Sequence, residues 1–257
     1  MKLNVYVVGS ATSYANWLLN NPDGENGKLV TSMEEADIVV LTGGGDVDPS
    51  YYGRQTNSRT YSTPPREGFE TRDSREWEAI TRAVELGKPM WGTCRGLQIL
   101  CAFAGGDLIQ HVNHGGGDHP ISFYDGTSVM TNTIHHQMVY PFAKLKPVED
   151  YFIVANALGL SNVYLGEEGE NLVLPTNEQG ITLEPEAAFF PKINGFGQQS
   201  HLEMRGYNSP VVNITRKLVE HQVKGTLSEV LKQQIPVSQL IDPSFKLEVV
   251  NNLVKSV

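Results

Sequence analysis

Cysteine is nearly absent from this 257-residue chain: Cys94 and Cys101 are the only two. They lie seven positions apart, two turns of an α-helix. On one helix they would share a face and stand too far apart to bridge. No disulfide framework is available, and a reducing cytoplasm is the expected compartment. Long apolar runs are also missing; none approaches the ~18 residues of a membrane span. Positive charge is in deficit, with 20 Lys and Arg against 29 Asp and Glu. The resulting net charge of −9 excludes a protein that coats nucleic acid through phosphate contacts. The N-terminus, Met1 to Gly9, lacks the apolar core and small-residue cleavage site of a signal peptide. A chain this long buries about 70–75% of its unfolded surface, so the fold is expected to need neither metal nor disulfide.

What is present reads as an α/β domain. Asn4–Val8, Asp37–Leu41, Pro89–Thr93 and Tyr151–Ala155 are short apolar runs bounded by Gly and Pro, as in strands of a covered parallel sheet. Between the second and third, the spacing predicts a helix over Ser74–Leu86, with Trp77, Ile80, Ala83 and Val84 on one face. Asp73 is the expected N-cap, with Glu76 completing a capping box, and Gly87-Lys88-Pro89 is the stop. Strand, helix and strand make a βαβ unit. A second helix is expected over Pro210–Val223. Tyr51–Gly68, which includes the 54–68 loop, is polar and reads as irregular. Beyond Gly225 two short amphipathic pieces follow, Leu227–Leu231 and Phe245–Val254, expected to pack on their own domain.

The most informative string is Gly92-Thr93-Cys94-Arg95-Gly96, of the form G-x-C-x-G between an apolar strand and a helix-like run. It is the thiol version of a nucleophile elbow, in which small residues at minus two and plus two let strand and helix meet at a sharp turn. The helix N-terminus then favours a thiolate at Cys94. A general base must come from elsewhere. His201 stands out because Glu203 follows two residues on, and in an extended segment both face one side. A carboxylate there fixes the imidazole tautomer and leaves the other nitrogen for the thiol. Gly43-Gly44-Gly45 follows the second strand and can aim backbone N–H groups at an oxyanion, together with the amide of Arg95. No Gly-Lys-Ser/Thr ending follows, so this turn is not a phosphate-binding P-loop.

Four matches in order then resemble the class I glutamine amidotransferase superfamily, and within it the gamma-glutamyl-gamma-aminobutyrate hydrolase-like branch of peptidase C26 type. They are Leu41–Ser50, Gly87–Gln98, Ile134-His135-His136-Gln137, and Gly197–Glu203, which is similar to the family's G-V-Q-F/W-H-P-E. The resemblance covers residues 1–224, the expected catalytic domain, and leaves 225–257 as a C-terminal extension. It implies a flavodoxin-like, mostly parallel sheet with helices on both faces, and a Cys94, His201, Glu203 triad. It also implies an oxyanion hole at Gly44, Gly45 and Arg95, and substrate-binding positions at Gln98, His136 and Gln137. Leu202 replaces the family's proline and Ser200 its aromatic residue.

His111, His114, Asp118 and His119 form an H-x2-H-x3-D-H pattern in a glycine-rich stretch. It has the ligand types for a transition metal but no Cys or evident supporting shell, so it is read as a polar loop near the site mouth, with no metal and no cofactor. The expected activity is hydrolysis of a γ-glutamyl amide or glutamine through a thioester. The alternatives are a glutaminase subunit serving a separate synthetase or ligase, and a non-catalytic binding protein. Neither nucleic acid nor membrane is an expected partner.

Overall fold

The computed structural model describes residues 1–22, 24–64, 67–114 and 116–234. In chain order the strands are β1 (Asn4–Val7), β2 (Lys28–Leu29), β3 (Ile38–Leu41), β4 (Met90–Thr93), β5 (Asp107–Ile109), β6 (His111–Val112) and β7 (Gly117–Phe123). They continue as β8 (Ser128–Thr133), β9 (Met138–Tyr140), β10 (Phe152–Leu158), β11 (Tyr164–Leu165), β12 (Leu183–Phe190) and β13 (Gly195–Gln198). The α-helices are α1 (Asn16–Leu19), α2 (Arg72–Glu85), α3 (Arg95–Phe103), α4 (Pro210–Val223) and α5 (Leu227–Gln234).

Nine strands form one sheet in the order β2-β1-β3-β4-β13-β12-β10-β7-β8. The five strands from β2 to β13 run parallel. From β13 onward every pairing is antiparallel. Helices cover both faces of the parallel part, the α/β arrangement that the apolar runs imply. Alternation sorts the strand residues between two cores. Val5, Val7, Ile38, Val40, Trp91 and Phe196 pack with α1, α4 and α5 on one face. Val39, Leu41 and Met90 pack with α2 and α3 on the other. Leu227 and Leu231 of α5 are buried in the first core, as expected for that piece. The second tail piece, Phe245–Val254, lies outside the described residues.

Some local expectations need correction. The fourth run, now β10, is antiparallel to β12 and β7 rather than part of the parallel set. Helix α2 is capped by Thr71, whose side chain accepts from the Ser74 amide while Ser74 Oγ accepts from the Thr71 amide. Asp73 and Glu76 are not the cap; they turn inward, for a reason given below. Val84 is 39% exposed and Trp77 half-buried, so that edge of α2 faces solvent while Ile80 and Ala83 fill the core.

Candidate active site

Three adjacent parallel strands, β3, β4 and β13, end at the same edge of the sheet, where open α/β sheets form their crevices. The glycine turn leaves β3, Cys94 leaves β4, and His201 follows β13 by three residues. The Cys94 amide donates to the Gln198 carbonyl at 2.7 Å and ties two of these exits together.

Cys94 sits at φ 52°, ψ −109°, immediately before α3. A non-glycine residue held there stores on the order of 1–3 kcal/mol of strain, which packing around it must offset. The glycines explain how the packing is possible. A Cβ on Gly92 would stand 2.4 Å from the Gly96 carbonyl carbon, and one on Gly96 would stand 2.5 Å from the Leu41 carbonyl oxygen. Strand and helix therefore touch backbone to backbone, and Cys94 is left at the tip of the turn. The Arg95 amide opens α3, where a helix offers its own amides no acceptor.

His201 Nδ1 lies 2.7 Å from Glu203 Oε1, which leaves Nε2 for Cys94. Burial opposes charge on the imidazole, but hydrogen bonding to Cys94 and Glu203 outweighs it and raises the His201 pKa to about 9. The structure thus brings Cys94, His201 and Glu203 together. The glycine turn closes over them: a Cβ on Gly43 would meet His201 Cε1 at 2.7 Å. Gly44 has φ 151°, and its Cβ would collide with the Arg72 guanidinium at 2.0 Å. Among the described residues, neither the Gly44 nor the Gly45 amide has an acceptor within the chain.

The remaining expected residues have different surroundings. Gln98 is buried and donates Nε2 to the Gln137 carbonyl at 2.9 Å, an oxygen that also accepts from Gln199 Nε2 at 2.8 Å. The Gln137 side chain accepts from the Val47 amide at 3.3 Å. These two glutamines knit the turn after β3 to the segment before β9. His136 is partly exposed, and its Nε2 stands 2.9 Å from Asp46 Oδ1. Ser200 is buried and Leu202 lies in the core under His201. Cys101 is fully buried, as expected, and burial pushes its thiol pKa far up.

Three features of the site escaped the sequence reading. The Tyr14 ring lies 5.9 Å from that of His201, and burial, then the charges of Glu203 and Cys94, raise its phenol pKa. Arg72 donates Nη2 to the carbonyls of Thr42 and Gly43, both at 3.0 Å, and so fixes the glycine turn. The Arg95 side chain points inward and pairs with Asp73 and Glu76 of α2, all three buried. Burial raises the Asp73 pKa in spite of Arg95. The one charged residue of α3 was the available signal, since a buried guanidinium requires partners.

The Peptidase C26 family model matches residues 4–122. The glutamine amidotransferase-like protein YvdE of Lactococcus lactis is 33% identical over 124 residues, 40% of this chain and 50% of that one. The carbamoyl phosphate synthase small chain of Neisseria gonorrhoeae is 25% identical over 51% of this chain and 25% of its own length. The chain spans half or less of the length of the curated relatives it matches first. A crystal structure of a glutamine amidotransferase from Thermotoga maritima aligns with 97% of this chain and 93% of that one, at 14% identity and a TM-score of 0.48. No helix among the described residues is long and apolar enough to cross a membrane. The chain is thus similar in part to glutamine amidotransferase-like proteins, and the Peptidase C26 pattern runs across residues 4–122.

Proposed function

We propose that this chain is a thiol hydrolase of γ-glutamyl amide bonds, with Cys94 as nucleophile, His201 as acid and base, and Glu203 as the orienting carboxylate. The observation that carries the reading is the left-handed Cys94 at the mouth of α3 beside an imidazole held by Glu203 at 2.7 Å. With the His201 pKa near 9, the imidazole carries its proton at neutral pH and stands beside the Cys94 sulfur. The thiolate attacks the amide carbonyl carbon. The oxyanion is met by the amides of Arg95, Gly44 and Gly45. The His201 proton passes to the departing nitrogen, the C–N bond breaks and a γ-glutamyl thioester remains. His201, now neutral, takes a proton from water, and the hydroxide attacks the thioester. Glutamate leaves, and the thiolate–imidazolium pair is restored. The segment carrying His136 and Gln137 is the proposed border of the substrate pocket, and Gln98 supports it from beneath.

A second reading, a glutaminase that passes ammonia to a separate synthetase, is favoured by the match to a carbamoyl phosphate synthase small chain. Steady-state kinetics on the purified chain separates the two. The hydrolase reading expects a substituted amide, γ-glutamyl-γ-aminobutyrate or a γ-glutamyl anilide, to be cleaved with higher kcat/KM than glutamine. Slow hydrolysis of glutamine alone would instead support the partner-dependent glutaminase.

A further inference from the structure

The antiparallel half of the sheet holds a second constellation that the thiol chemistry does not use. His114, His119 and Glu186 offer ligand atoms that all lie within 4.8 Å of one another, and all three residues are buried. His135 approaches the same carboxylate: its Nε2 is 3.4 Å from Glu186 Oε1. His114 Nε2 is 3.5 Å and His119 Nε2 3.8 Å from that oxygen, and the two nitrogens are 3.3 Å from each other. Ligands about 2.0–2.1 Å from a tetrahedral ion stand about 3.3–3.4 Å apart. These separations are of that size.

The opposite nitrogen of each ring is already engaged. His114 Nδ1 is 3.0 Å from Glu184 Oε2, His119 Nδ1 is 3.2 Å from the Pro120 carbonyl, and His135 Nδ1 is 3.0 Å from the Gln137 carbonyl. A ring that donates from Nδ1 presents a lone pair at Nε2, and this is how carboxylates and carbonyls orient metal-binding histidines. Three lone pairs and a carboxylate oxygen would then face one another in a buried space, which is repulsive unless a metal cation or protons lie among them. Among the described residues, both Glu186 oxygens and His135 Nε2 are buried without a hydrogen-bond partner. Glu184 is held in place by the Ser161 amide and the Tyr164 hydroxyl, both at 2.6 Å. A surface cavity of about 290 Å³, lined in part by His114, Ile134, His135 and His136, gives an approach.

We propose that His114, His119 and Glu186 form a binding site for one divalent transition-metal ion of the zinc class, with His135 beside Glu186 and with Glu184 as the carboxylate that orients His114. Imidazole-rich sets suit zinc and its neighbours over magnesium or calcium. The ion takes three protein ligands, and His135 Nε2, 3.4 Å from Glu186 Oε1, stands next to its fourth position. It fastens the segments on both sides of the β7–β8 hairpin to β12. Through His135 and the Gln137 carbonyl it also supports the segment that Gln98 and Gln199 hold beside Cys94.

The test uses the whole chain without an affinity tag. Metal is stripped with a chelator, and Zn²⁺ or Co²⁺ is then added back. One ion per chain is expected, with the intense visible Co²⁺ absorption of tetrahedral sites. Zn²⁺ in about hundredfold excess over its Kd should raise Tm by several degrees. His119→Asn and Glu186→Gln should each lose the ion, whereas His111→Ala should keep it, because His111 lies outside the cluster against Arg59. Should one ligand variant fail to fold, the other variant and the wild-type Co²⁺ spectrum still decide. Absence of uptake at micromolar metal would overturn the proposal and leave protons alone to neutralise the cluster. Uptake that survives in both ligand variants would overturn it equally.

Discussion

The two halves of the sheet collect their polar groups in opposite ways. In the parallel half, Cys94, His201 and the glycine turn are brought together by topology: three neighbouring strands end together and their exits converge. Strain at one residue and close backbone approach at Gly92 and Gly96 sharpen the convergence. In the antiparallel half, His114, His119, His135 and Glu186 converge by burial inside the structure, the histidines in or beside the β7–β8 hairpin and the carboxylate on β12. The first arrangement leaves a nucleophile at a crevice. The second encloses buried imidazoles around a carboxylate. The account therefore expects thiol chemistry from one half and structural duty from the other.

The sharpest way to break that comparison is at the elbow. Cys94→Ala should abolish turnover while the far-ultraviolet spectrum and Tm stay close to those of the parent. Cys101→Ala should retain most activity, since that thiol is buried in the core with its pKa pushed up. Equal losses in the two variants would remove the distinction. Next in size, His201→Ala should lower kcat on the order of a thousandfold or more. Glu203→Gln should cost less, because an amide still positions the imidazole in part.

The pH dependence sharpens the same point. The His201 pKa is raised from 6.5 to about 9. Its charged form therefore stabilises the fold fully below pH 6.5, and that contribution is lost as pH rises through about 9. The alkaline limb of kcat/KM should fall near pH 9 in the parent and move to lower pH in Glu203→Gln. A limb that does not move would detach Glu203 from the imidazole.

Arg95, the residue after the elbow, comes next. Its replacement by Ala leaves Asp73 buried without its cation and Glu76 with Arg72 alone. Breaking such a pair costs about 3–5 kcal/mol, which chemical denaturation would read. The smallest effect on catalysis is expected in the other half: Glu186→Gln should leave kcat within about an order of magnitude of the parent while altering thermal stability. A loss as deep as that of Cys94→Ala would merge the two regions into one site.

Legibility in the sequence follows the same division. The elbow was readable because its parts are contiguous: a strand, G-x-C-x-G, a helix. The His201 and Glu203 pair was readable from a spacing of two. The histidine cluster was not, because its four members are spread from 114 to 186 and only burial unites them. The H-x2-H-x3-D-H pattern even misdirects, since His111 and Asp118 turn away to Arg59 and Arg205. The usable clue was Glu184-Pro185-Glu186, two carboxylates on one face of a strand, buried where charge requires an answer. The α2 cap was misread for a related reason. Asp73 and Glu76 fit a cap pattern, but Arg95, distant in sequence, claims both. Thr71 and Ser74 take the cap instead.

The central claim, that Cys94 carries the γ-glutamyl group as a thioester, is tested most directly by intact mass. The chain is mixed with a γ-glutamyl anilide, quenched in acid within the first turnover and digested. The account predicts one added γ-glutamyl group on the peptide that contains Cys94, and none on that peptide in Cys94→Ala. Release of the aniline from the parent with no adduct on Cys94, or with the adduct at another residue, would contradict it.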